Sequence, residues 1–100
     1  MPQAPKDQPC ALCGRVIWLT FHHLIPRKNH NKPWFRRHFD KADMRSRGVW
    51  VCKPCHRAIH RFHDENRLGR ELNTLERLQA DPQVRRFAQW AARQKVQMRS

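Results

Sequence analysis

The 100-residue sequence predicts a single small α+β domain with additional helices at its C-terminal end, on three observations. β-branched and aromatic runs at 16–25 and 49–52 read as strands. Helical spacing and capping signals dominate from residue 53 onward. Two CxxC pairs, Cys10/Cys13 and Cys52/Cys55, bracket the strands. The apolar fraction is only 39%, and a core that thin in a chain this short needs a staple. The first nine residues, MPQAPKDQP, are polar and proline-rich and do not read as a secretory signal. A reducing, cytoplasmic setting is therefore expected, where paired CxxC reads as zinc rather than disulfide. No run approaches the length of a membrane span, so no membrane partner is expected.

Each element follows in order. Residues 1–9 are expected to form a disordered lead-in. CALCG (10–14) reads as a zinc knuckle, with Gly14 supplying the positive φ that such a turn needs. Val16 to Ile25, VIWLTFHHLI, reads as a strand that tolerates a turn within it, and Pro26 ends it. Residues 27–47 are basic with interleaved aromatics. They leave room for one short helix after Asn31, with Pro33 in its first turn. Gly48 leads into a short strand over 49–52. Pro54 opens a helix from about Lys53 to Asn66. Leu68, Leu72, Leu75 and Leu78 form a helical apolar stripe, and Asn73-Thr74 offers a cap. Asp81-Pro82 caps a last helix over about 82–96, with Val84, Phe87, Ala88 and Ala91 inward, joined by Trp90. Trp18, Phe21, Trp50 and Ile59 are assigned to the core. His30, His38 and His63 are read as surface or supporting residues, His63 within reach of a substrate phosphate.

Charge points to the partner class. The formal net charge is +13. Between Arg27 and Arg70 stand 13 basic residues and 4 acidic ones. An excess spread through the middle of a short chain fits a polyanion, DNA being the expected partner. A solvated surface would carry the same charge without that partner.

The chemistry lies in cysteines and histidines. Four thiolates from Cys10, Cys13, Cys52 and Cys55 suffice for one tetrahedral structural Zn2+. His56 and His60, four apart, share one helix face. A third imidazole from the His22-His23 pair would complete a half-filled metal site. Adjacent strand residues point to opposite sides, so one of that pair faces the metal and the other is available as a base.

The pattern CALC…FHHLIPR…VCKPCHRAIH, covering about residues 10–62, resembles the HNH endonuclease family, built on a ββα-metal finger. The double histidine with a final H-x3-H is also similar to the colicin-type nucleases. The NTLERLQAD stretch and terminal helix resemble the tails of small bacterial HNH nicking endonucleases. The resemblance implies residues 10–66 as a zinc-stapled ββα-metal finger and 67–100 as a C-terminal helical extension packed on it. It makes His22, His56 and His60 ligands of one catalytic divalent metal and His23 the general base. Many members carry an asparagine before the second strand to orient that base. Here the stretch reads Met44-Arg45-Ser46-Arg47-Gly48. Arg45, Ser46, a backbone carbonyl, Asn29 or Asn31 is left to take its place.

The implied activity is metal-dependent hydrolysis of DNA phosphodiesters, as low-specificity nicking by a monomer, with a dimer as the alternative. An all-imidazole site favours Mn2+, Ni2+, Co2+ or Zn2+ over oxygen-loving Mg2+, Mn2+ being the first choice. Arg27, Arg36, Arg37, Arg57 and Arg61 are candidate DNA contacts. Trp34, Phe35 and Phe39 are assigned either to DNA or to the finger. Arg85, Arg86, Arg93 and Lys95 are either phosphate contacts or a solvated face. Two other readings compete. One is a non-catalytic zinc-finger DNA-binding protein. The other pools the cysteines, His56 and His60 into two closed structural sites, with His22 closing the second.

Overall fold

The computed structural model describes residues 8–94. Most of the expected lead-in, the end of the last expected helix and Lys95 lie outside them. The chain is a mixed α+β fold with one two-stranded sheet. Its elements are β1 (Leu19–His23), α1 (Pro33–His38), α2 (Lys41–Ser46), β2 (Gly48–Cys52), α3 (Lys53–Phe62), α4 (Glu65–Glu71), α5 (Leu75–Ala80) and α6 (Pro82–Ala92). A 3-10 turn at Arg27–Asn29 links β1 to α1. Among the described residues no helix is long and apolar enough to cross a membrane.

β1 and β2 are antiparallel, with Leu19 opposite Cys52 and His23 opposite Gly48. β1 is thus shorter than the apolar run that suggested it. Its partner turns into α3 after Cys52, so Trp18 lies beyond the ladder. Trp18 is 65% exposed and not part of the core. Phe21 and Trp50 are only partly buried and meet edge to face across the strands at 5.2 Å, whereas Ile59 is fully buried as expected. Gly48 is needed where it stands, because a Cβ there would overlap the Phe21 ring.

Two helices differ from expectation. α2 replaces an expected loop. Its segment, KADMRS, buries only Met44 and so carries no apolar stripe. α3 ends at Phe62 rather than near residue 66, because His63 is extended and Asp64 caps α4 by accepting from the Arg67 N–H at 2.8 Å. The leucine stripe is split between α4 and α5, with Thr74 capping α5. Asp81 caps α6 as expected, while Trp90 is half exposed.

The core has three parts. Leu19, Val51, Ala88 and Ala91 surround the cysteines. Leu24, Ile59, Leu68, Leu72, Leu78 and Val84 join α3 to the C-terminal helices. Ile25, Phe35 and Met44 anchor the basic segment, which assigns Phe35 to packing. α4 approaches that third part so closely that a Cβ on Gly69 would fall 2.7 Å from the Phe35 ring.

Candidate metal centre

The first knuckle folds because Gly14 adopts φ +81° and its N–H bonds the Cys10 carbonyl at 3.0 Å. The Ala11 N–H then reaches the Trp50 carbonyl at 3.0 Å, hanging the knuckle on β2. The four buried cysteines come together, their sulfurs all within 4.8 Å of one another. Cys13 and Cys52 Sγ are 3.7 Å apart, matching the edge of roughly 3.8 Å of a tetrahedron with metal–sulfur bonds of about 2.3 Å. The donor set therefore suits a metal such as zinc.

The electrostatics of this cluster favour a cation. Hydrogen bonds from the Cys52 and Cys55 thiols, and from the backbone N–H groups of Cys13 and Cys52, hold the Cys10 thiol far below its ordinary range. The same sharing with Cys10 pushes Cys55 far up, and Cys52 up to about 11. Four thiolates this close repel one another, and a bound cation removes that cost. Arg15 adds positive charge, its Nε donating to Cys13 Sγ at 3.4 Å and its Nη2 to Cys52 Sγ at 3.7 Å.

The second cluster is separate. His22 on β1 and His56 and His60 on α3 each offer a ring nitrogen within 4.8 Å of the others. His22 stands 5.2 and 5.4 Å from the other two rings, centroid to centroid. Its side chain is completely buried, and neither ring nitrogen has a hydrogen-bond partner. An imidazole so placed costs about 1–3 kcal/mol unless something else meets its nitrogens. Burial, reinforced by the neighbouring histidines, lowers its pKa to about 3. Burial, then His60, lowers His56 to about 4. His60 is lowered too, by burial, against the opposing pull of Glu65. Three neutral imidazoles with free nitrogens are a donor set for a divalent ion, one short of a tetrahedron. Because the four cysteines group with each other and the three histidines likewise, two pooled cysteine–histidine sites do not form.

His23 sits on the opposite side of β1, where its ring meets the edge of Phe21 at 5.0 Å and faces His30 at 6.4 Å. It is partly exposed. Burial, then His30 and Arg27, lowers its pKa and leaves it neutral at pH 7. No side chain proposed to orient it does so. The Ser46 hydroxyl turns back to the Ala42 and Asp43 carbonyls, and Asn29 donates to the Glu65 carbonyl at 2.7 Å. The contacts on His23 are aromatic instead.

The other candidates divide. Arg57 and Arg61 line a groove of about 560 Å3 with Thr20, Lys53, His56 and His60. Arg27 acts on His23 from outside the triad. Arg36 and Arg37 do not join these groups; they line a different groove with Asp40, Asp43 and Arg47. His63 is not at the surface: its Nε2 bonds Asp81 Oδ2 at 2.8 Å with both side chains buried. His30 is buried as well, bonded to the Ile25 carbonyl at 2.8 Å. Trp34 stacks on His38 at 4.0 Å and takes the Arg70 guanidinium over its ring at 4.3 Å, so its faces are occupied within the chain.

Arg15, Thr20 and Lys53 also meet these clusters, outside the motifs that mark the other residues. Thr20 lies two residues before His22 on the same strand face, and its hydroxyl is 2.8 Å from His56 Nδ1. Lys53 lies four before Arg57. Those spacings were the available signals.

No family model and no solved structure matches the chain. A match of 34% identity over 86 residues, covering 85% of this chain and 74% of the other, links it to the uncharacterized protein YisB of Bacillus subtilis (strain 168). With most of both chains aligned at that identity, this chain belongs to the same family as YisB.

Proposed function

We propose that the chain is an HNH-type, ββα-metal DNA endonuclease, with a structural zinc on the four cysteines and one catalytic divalent metal on His22, His56 and His60. The observation that carries this reading is the buried His22 ring. Both its nitrogens lack partners and it faces two further imidazoles, beside a fourth histidine that no ligand set needs. The order of β1, β2 and α3 supports the ββα comparison. The net charge of +13 and the basic groove beside the triad support a polyanionic substrate.

When bound, a divalent ion would act as a Lewis acid at the phosphoryl group; Mn2+ is the ion proposed for activity, although three imidazoles bind Ni2+, Co2+ and Zn2+ more tightly. The protein does the rest. His23, neutral at pH 7, takes a proton from the attacking water. Phe21 and His30 limit where its ring can turn. Arg57 and Arg61 hold the substrate backbone from the groove. Water attacks phosphorus, the P–O3′ bond breaks with its electron pair going to O3′, which takes a proton from solvent while His23 returns its own proton to solvent, and the products carry a 5′-phosphate and a 3′-hydroxyl. A single site acts on one strand per encounter, so the activity is nicking.

Supercoiled plasmid with added Mn2+ tests this. Wild type should produce nicked circles with 5′-phosphate ends, and His23→Ala should lose at least a hundredfold in rate, the scale of general-base catalysis. Equal activity in both, or none with any divalent ion, refutes the assignment.

A further inference from the structure

We propose that Lys53, Arg57 and Arg61 form a rail for consecutive phosphates of one DNA strand, lying along α3 beside the histidine triad. This rests on the reading above that the substrate is DNA, and it adds the register in which the strand is held. The three cations stand at i, i+4 and i+8 on one helix, in a row next to the one that carries His56 and His60. All three are exposed, and with Thr20, His56 and His60 they line the same groove. No carboxylate lines that groove, and α3 contains no acidic residue.

Four of the other cations are engaged within the chain. Lys28 pairs with Glu65, Arg47 with Asp43, Arg15 with sulfur and Arg70 with Trp34. Among the described residues, none of the three rail cations has an ion-pair partner. Like charges four apart on a helix destabilise it, and a row of three does so twice. An anion bound along the row removes that repulsion. One helical turn advances by roughly 6 Å in four residues, close to the separation of successive phosphates along a strand. The long alkyl stems line the groove walls and leave the charged ends free to meet phosphate oxygens. A phosphate bound by the Arg57–Arg61 stretch lies alongside the triad, and Lys53 extends the contact along the strand, away from it.

The test measures binding of fluorescein-labelled oligothymidylates of graded length by anisotropy, over a range of NaCl. His23→Ala serves as the background, to prevent cleavage. Replacing Lys53, Arg57 and Arg61 together by Ala should lower the slope of log K against log salt by about 2, at roughly 0.7 per lost contact. Each single replacement should lower it by about 0.7. The matched control removes the same charge from α6 and its C-cap, as Arg85→Ala, Arg86→Ala and Arg93→Ala, and should shift the slope less than half as far. Ni2+ binding to the triad should be the same in all of them, which also reports folding. Equal slope changes in the two triple variants, or no change in the rail variant, overturn the proposal. Plasmid cleavage separates the two readings. A reduced slope with an inert wild type leaves the rail and removes the nuclease, whereas an active wild type with an unchanged slope removes only the rail.

Discussion

The Thr20 hydroxyl joins two partners, donating to the Val51 carbonyl at 3.2 Å and lying 2.8 Å from Nδ1 of His56. A hydroxyl has one proton, and a carbonyl can only accept. With that proton on Val51, the Thr20 oxygen accepts from Nδ1–H of His56, and Nε2 keeps its lone pair for an ion. Thr20→Val keeps the shape and removes this lock. Triad affinity for Ni2+, measured by titration calorimetry, should fall about tenfold. Zinc content of the cysteine site should not change.

Replacing His22 should reverse the sign of a stability effect. In protein holding one zinc per chain, His22→Leu removes two unpaired buried nitrogens and should stabilise by about 1 kcal/mol. With excess Ni2+ the same variant should lose the stabilisation that the wild type gains. The pH dependence follows from the depressed His22 and His56 values. The unfolded chain takes up protons below about pH 6.5, whereas the native rings stay neutral until about 3 and about 4. Wild-type stability at one zinc per chain is therefore full above pH 6.5 and falls as pH drops toward 4. His22→Leu should flatten that slope. Urea midpoints at pH 8, 6 and 5 check both statements.

Arg15 should protect the cysteine site. Its guanidinium meets two sulfurs, and the sulfurs in turn raise its own pKa, with the Cys13 bond the largest cause. Arg15→Gln should speed zinc transfer to a competing chelator about tenfold, the equivalent of about 1.4 kcal/mol. Arg15→Lys should fall between. Alkylation of Cys13 and Cys52 should accelerate in the same order.

Asp81 serves twice, capping α6 at the Val84 N–H (3.1 Å) and pairing with His63. Asp81→Ala should cost about 3 kcal/mol, combining a lost cap with a broken buried pair. Burial alone would raise the Asp81 pKa, but the bonds from His63 and Val84 outweigh it and hold it below its usual value. This contribution is present above the ordinary carboxylate pKa and is lost as pH falls through the depressed one. Asp81→Asn should therefore flatten the acid limb below pH 4 in denaturant midpoints.

The features legible in the sequence were those written in local chemistry. The CxxC spacing, the His56–His60 pair and the Asp81-Pro82 cap each announce themselves within a few residues. Trp18 misled because its aromatic, β-branched surroundings do not reveal where the partner strand stops. α2 was invisible because Met44 alone is buried. The break at His63 was signalled by Asp64 before Glu65, but the helical look of HRFHDEN masked it. The His63–Asp81 pair and the Arg15–Cys52 contact link residues brought together only by the fold, from the end of α3 to the start of α6 and from the first knuckle to the second.

One ion is expected on the three histidines, apart from the ion on the four cysteines. A crystal grown with Mn2+, with data collected at the Mn and Zn edges, tests it most directly. Two anomalous peaks are expected. Zinc should lie about 2.3 Å from the four sulfurs, and manganese within bonding distance of one nitrogen each of His22, His56 and His60. A single peak at the cysteines with the imidazoles bare, or an ion shared between cysteine and histidine, would contradict it.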